Sequence, residues 1–198
     1  MAIKPSILIP STVAATGAFV GGYFLVKELN GSNHKTIKDQ LGESLMIASD
    51  SSDKWDARKQ SLSSATPESL VEDLKSIKDN SPSGDKIKAW CLSNASVEFK
   101  DDKDMRYLNV RTYCTYKVKD KLSKAVRDQG DSDWATASNK VKTPSSGVIL
   151  SPAMEKVKAE LTKDSPNNDA LKNWCKDILD SMYENDSNFR DADSYCTK

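Results

Sequence analysis

One histidine, His34, is all that 198 residues provide. Histidine-based acid–base catalysis and metal ligation therefore have almost no material to work with. The chain holds no Gly-x-x-x-x-Gly-Lys loop, no Gly-x-Gly-x-x-Gly and no Gly-x-Ser-x-Gly, so the usual phosphate cradles and the nucleophile elbow are missing. There is no Cys-x-x-Cys, which disfavours a zinc ribbon or a redox pair. A basic excess is missing too: 29 basic groups face 29 acidic ones, which argues against a nucleic-acid partner. Lys100-Asp101-Asp102-Lys103-Asp104 is acidic enough to suggest calcium, but it lacks the glycine and terminal glutamate of a calcium loop and reads as a solvated turn. The expectation is a non-enzyme with no cofactor, no metal and no small-molecule substrate.

What is present is uneven. Ile7 to Val26 runs for 20 residues without a charge, about 30 Å as a helix and enough to cross a bilayer. A small-x-small site at Ala15-Thr16-Gly17 offers a cleaved signal peptide as the competing reading. The most apolar stretch, Phe19 to Val26, lies beyond that site, so the segment reads as an uncleaved signal anchor with ends at Ile7 and Val26. Outside it the chain is polar, with about a third of its residues apolar, thin for an independent core.

Four cysteines, Cys91, Cys114, Cys175 and Cys196, allow three pairings. An internal repeat narrows them. KIKAWCLSNASVEF aligns with ALKNWCKDILDSMY at an offset of 84, and RYLNVRTYCT with NFRDADSYCT at an offset of 82. In the second copy Leu171, Trp174, Cys175, Ile178, Leu179, Met182 and Tyr183 follow an amphipathic helical stripe. Phe189, Ala192 and Cys196 form another after a polar turn, as Tyr107, Val110 and Cys114 do in the first copy. Each unit reads as two antiparallel helices. The midpoint of each cysteine pair falls in the intervening turn, which sets Cys91 level with Cys114 and Cys175 level with Cys196, as disulfide geometry needs. Disulfides in turn favour an extracytoplasmic location.

Upstream the repeat fades. Trp55 matches Trp134 at an offset of 79, and Thr66-Pro67 is set against Ser151-Pro152. With those prolines aligned the apolar positions of the two helices do not superpose. Ile37, Leu41 and Leu45 suggest a short helix, Leu70, Leu74 and Ile77 another, and Gly147 to Leu150 is the one strand-like run. Trp55, Trp90, Trp134 and Trp174 are expected in the core rather than at a ligand. The fold class expected is all-α: a membrane anchor over 1–26, a stalk over 27–44, and helical repeats over 45–118 and 119–198.

The short membrane segment, the TIKDQLGESL block from Thr36 to Leu45 and the WC…YCT units resemble the large paralogous families of uncharacterised proteins encoded by hemotropic mycoplasmas. That resemblance covers nearly the whole chain. It implies a protein of a wall-less, red-cell-attached parasite, exposed at the surface and open to antigenic variation, and it carries over no catalytic residue. The expectation is a single-pass membrane protein whose C-terminal domain faces outward and meets a host-surface protein or antibody. The alternative is an inward-facing anchored scaffold with four free thiols.

Overall fold

Thr36 opens the first element. Its hydroxyl accepts the Asp39 N–H at 3.1 Å while Asp39 accepts the Thr36 N–H at 2.9 Å. This reciprocal cap satisfies two of the donors that a helix start leaves unpaired. It begins α1 (Ile37–Leu41), which ends in a short 3-10 turn at Gly42–Ser44. The computed structural model describes residues 34–198, and Lys35–Lys198 form one unit. The expected membrane helix from Ile7 to Val26 lies outside the described residues. Among the described residues no helix is long and apolar enough to cross a membrane.

The architecture is all-helical. After α1 come α2 (Ser52–Ser63), α3 (Glu72–Asp79), α4 (Gly84–Asn94) and α5 (Met105–Tyr113). The second half holds α6 (Trp134–Lys142), α7 (Pro152–Thr162), α8 (Ala170–Leu179) and α9 (Ser187–Tyr195). The only extended pairings among the described residues are four isolated antiparallel bridges. In the first half α2 packs on α4 and α5, and α3 on α4; in the second, α6 packs on α8 and α9, and α7 on α8. Two hydrophobic cores result, one centred on Trp55, Leu62, Leu74, Ile87 and Val110, the other on Val141, Met154, Leu171 and Ala192.

The duplication extends to the first described residues, further than the sequence reading takes it. Phe99 donates to the Lys35 carbonyl and Tyr183 to the Tyr116 carbonyl, both at 2.8 Å. Met46 donates to Cys114 O and Arg127 to Cys196 O, at 2.9 and 2.8 Å. Asp120 accepts the Lys117 N–H just as Asp39 accepts that of Thr36. TIKDQL at Thr36 therefore corresponds to KVKDKL at Lys117, a match too degenerate to find by identity. The stalk expected over 27–44 is corrected accordingly: from Lys35 the chain is part of the first repeat, with Ile37 and Leu41 buried. The seam lies at Tyr116–Val118 rather than after residue 118, because Val118 already belongs to the second core.

The third helix of each half also needs a corrected register. Val71 N–H donates to Asn109 Oδ1, and Ser151 N–H to Asp191 Oδ2, both at 2.8 Å. Val71 is thus the counterpart of Ser151, and Leu70, Leu74 and Ile77 superpose on Leu150, Met154 and Val157. Thr66-Pro67 is not the counterpart of Ser151-Pro152; Pro67 opens a separate 3-10 turn, Pro67–Ser69. Two other expectations fail locally. Gly147 has φ +84°, a conformation that suits glycine, and Gly147 to Leu150 form a loop rather than a strand. Leu45, Met182 and Tyr183 continue the apolar pattern of their helices but lie past the helix ends, in extended bridge segments.

Candidate binding groove

Each cysteine pair staples the last two helices of its repeat. Asp104 caps α5 by accepting the Tyr107 N–H, and Asp186 caps α9 by accepting the Phe189 N–H. The KDDKD segment is therefore a turn that feeds a helix cap. Across each turn an edge-to-face aromatic pair closes the hairpin, Phe99 with Tyr107 and Tyr183 with Phe189, each at 4.9 Å between centroids. At the far end Cys91 pairs with Cys114 and Cys175 with Cys196, at Cα separations of 5.4 and 5.6 Å. All four cysteines are buried.

The tryptophans divide. Trp55, Trp90 and Trp134 are buried in the cores, as expected of them. Trp174 is only half-buried, although it occupies the position of Trp90. Trp174 thus packs against the edge of the second core rather than inside it. It stands in an open groove of about 680 Å³ between α7, α8 and the start of α9, where Pro152, Ala153, Val157, Asn173 and Asn188 are among its neighbours.

The first repeat explains why this groove is open. Over α3, α4 and α5, Arg106 donates to Asp73 at 2.7 Å and also to Asn94, a clamp tying three helices together. Burial pushes the Asp73 carboxyl up, but hydrogen bonding led by Arg106, together with the Arg106 charge and the Leu74 N–H, outweighs it and leaves the carboxyl lowered. In the second repeat the place of Asp73 is taken by Ala153, that of Arg106 by Asn188 and that of Asn94 by Ile178. No clamp can form. Two further charges, Glu72 and Lys86, are replaced by Pro152 and Ala170. Lys156 and Glu160, where the first repeat has Ser76 and Asn80, also line the groove, with Glu160 paired to Lys163 at 2.5 Å.

One polar atom at the groove is unsatisfied. Asn188 donates through Nδ2 to Asp186 at 2.9 Å, while its buried Oδ1 has no hydrogen-bond partner. A buried acceptor without a donor is costly. Among the described residues no group of histidine, cysteine and carboxylate side chains could hold a metal ion. No protein family, curated protein or solved structure matches this chain.

The sequence reading missed Pro152, Ala153 and Asn188. The signal was the loss of charge between corresponding positions of the two copies. It is invisible until Val71, not Pro67, sets the register.

Proposed function

We propose that this chain is a non-enzymatic, membrane-anchored binding protein whose helical domain faces outward. The observation that carries the reading is the placement of all four cysteines, buried and paired hairpin by hairpin, in the manner of domains that mature in an oxidising compartment. The charge-free stretch from Ile7 to Val26 supplies the anchor. The half-buried Trp174 in its groove supports recognition, since tryptophan is enriched at the centre of interaction surfaces. The resemblance to hemotropic mycoplasma surface families fits the same picture, with a host-surface protein or antibody as partner.

A non-reducing peptide map of protein extracted from its native membrane tests this, combined with protease treatment of intact cells. The expected result is Cys91 linked to Cys114, Cys175 linked to Cys196, and a domain that protease reaches. Four alkylatable thiols in a protected domain would instead support the inward-facing scaffold.

A further inference from the structure

The first repeat carries a groove of its own, about 520 Å³ in volume, and part of its lining is apolar where the second repeat is charged. Leu45, Met46 and Ala95 line it, together with two large apolar side chains that are open to solvent: Ile47 is 56 % exposed and Leu92 40 %. Met46 donates to Cys114 O as Arg127 does to Cys196 O. The Ile47 N–H donates to Asp50 Oδ2 at 2.8 Å, and the Asp128 N–H to Asp131 Oδ2 at 2.7 Å. Ile47 therefore corresponds to Asp128. Leu92 follows Cys91 as Lys176 follows Cys175. Asp128 and Lys176 are exposed as well, so at two solvent-facing positions one copy is charged and the other apolar. Core packing does not account for the exchange, since neither position is in a core.

We infer that this groove is the face the domain lays on a lipid surface bearing acidic headgroups. The inference rests on the membrane-anchored reading above and holds for either side of the membrane. The copy with the exposed apolar pair is the one next to the anchor in the chain. The charge-free stretch ends at Val26, and the first repeat begins nine residues later at Lys35. That length holds Lys35 within about 30 Å of the end of the stretch. Lys38, which lines the groove, lies within about 11 Å of Lys35. There the chain is fixed beside Ala95: the Ile37 and Lys38 N–H groups donate to the Val97 and Ala95 carbonyls at 2.9 and 2.8 Å. A short tether to the bilayer raises the effective concentration of lipid at this face. Charge agrees, because the ammonium groups of Lys38 and Lys121 line the groove with one carboxylate, Glu43. Lysines lay their stems on apolar surface and reach acidic headgroups with their tips. Ile47 and Leu92 then enter the boundary between headgroups and acyl chains.

The test uses the full chain in vesicles of phosphatidylcholine containing about a third phosphatidylglycerol. A fluorescent amino acid replaces Leu92, or Lys176 as the matched control, and doxyl-labelled lipid is the quencher. Quenching is expected to be at least fivefold stronger at Leu92 than at Lys176, and to fall at least twofold on vesicles of phosphatidylcholine alone. With the reporter moved to Ser96, which also lines the groove, the double variant Ile47→Asp with Leu92→Lys should lose most of the quenching. Circular dichroism and melting temperature should show that its fold is intact. Flotation of the vesicles separates the two readings. A chain left behind by the vesicles would end the anchored reading and this inference with it. A chain that floats but is quenched equally at Leu92 and Lys176, equally on neutral vesicles, or equally in the double variant would overturn this inference alone. Shielding of Leu92 that follows protein density rather than lipid would assign the face to a second copy and overturn it as well.

Discussion

Arg58 carries its guanidinium from α2 into the seam between the repeats. It is 1 % exposed, and it donates to Asp120 at 2.5 Å and to the Thr115 carbonyl at 2.9 Å. Its counterpart in the second repeat is Ala137, so the contact belongs to the joint and not to the repeat. Breaking one partner of a buried pair leaves the other uncompensated, and Arg58→Met is expected to cost about 3–5 kcal/mol in urea unfolding. Adding Asp120→Asn to that variant should cost much less than it does in the wild type, because the two residues are coupled. Additive losses would show that the pair carries nothing.

Tyr116 and Asp50 make a second residue-scale contact, and it sets a pH dependence. Tyr116 donates to Asp50 at 2.7 Å, and Lys121 sits over its ring at 3.5 Å from the centroid. Burial and the Asp50 carboxylate push the Tyr116 phenol up to about 12. Burial pushes Asp50 up, but hydrogen bonds from Tyr116, the Ile47 N–H and Lys54 outweigh it and leave the carboxyl lowered. A lowered carboxyl contributes stability above its unfolded value of about 4, and that stability is lost as pH falls through the folded value. A raised phenol contributes below about 10 and loses its contribution as pH rises toward 12. The expected melting profile is flat through neutrality and declines on both sides. Tyr116→Phe should flatten the alkaline decline; an unchanged alkaline limb would contradict the assignment.

At the scale of elements, the hairpin is the unit that sequence made legible. Stripe, turn and cysteine spacing agree, because an antiparallel hairpin puts residues equidistant from its turn side by side. Each disulfide closes a loop of just over 20 residues, for which chain entropy gives about 3 kcal/mol. Replacing Cys175 and Cys196 with alanine is expected to lower the unfolding free energy by about that much, and reduction of the wild type by more. A shift below about 1 kcal/mol would mean that packing alone holds α8 against α9. The third helices were the least legible. Their starts are pinned by Asn109 and Asp191, side chains 38 and 40 residues away in sequence. Pro67 and Pro152 each mark a local helix start, and local signals alone gave the wrong correspondence.

At the scale of the molecule, two small cores are joined by contacts that cross the seam. Beside the Arg58–Asp120 pair, Ser44 of the first repeat donates its hydroxyl to Tyr183 O of the second at 2.7 Å. Tyr183 belongs by sequence to the second repeat yet packs in the first core, and Phe189 touches both. The halves are expected to unfold together. Fluorescence separates them once Trp134 and Trp174, or Trp55 and Trp90, are replaced by phenylalanine in turn. Coincident urea midpoints, after correction for each variant's own stability, are the expected outcome; midpoints well apart would make the repeats independent domains.

Helicity, the two hairpins and their cysteine partners were determined by the sequence itself, since periodicity and spacing are local properties that survive in a single chain. The extent of the repeat, the position of the seam and the opening of the groove were decided only in three dimensions. Each depends on pairings between segments distant along the chain, such as Lys35 with Phe99 and Tyr116 with Tyr183. Trp90 and Trp174 occupy equivalent positions in the repeated sequence. Beside the buried Trp90, Arg106 and Asp73, brought from two other helices, bind one another. Ala153 and Asn188 cannot do so, because neither carries a charge to hold the other in place.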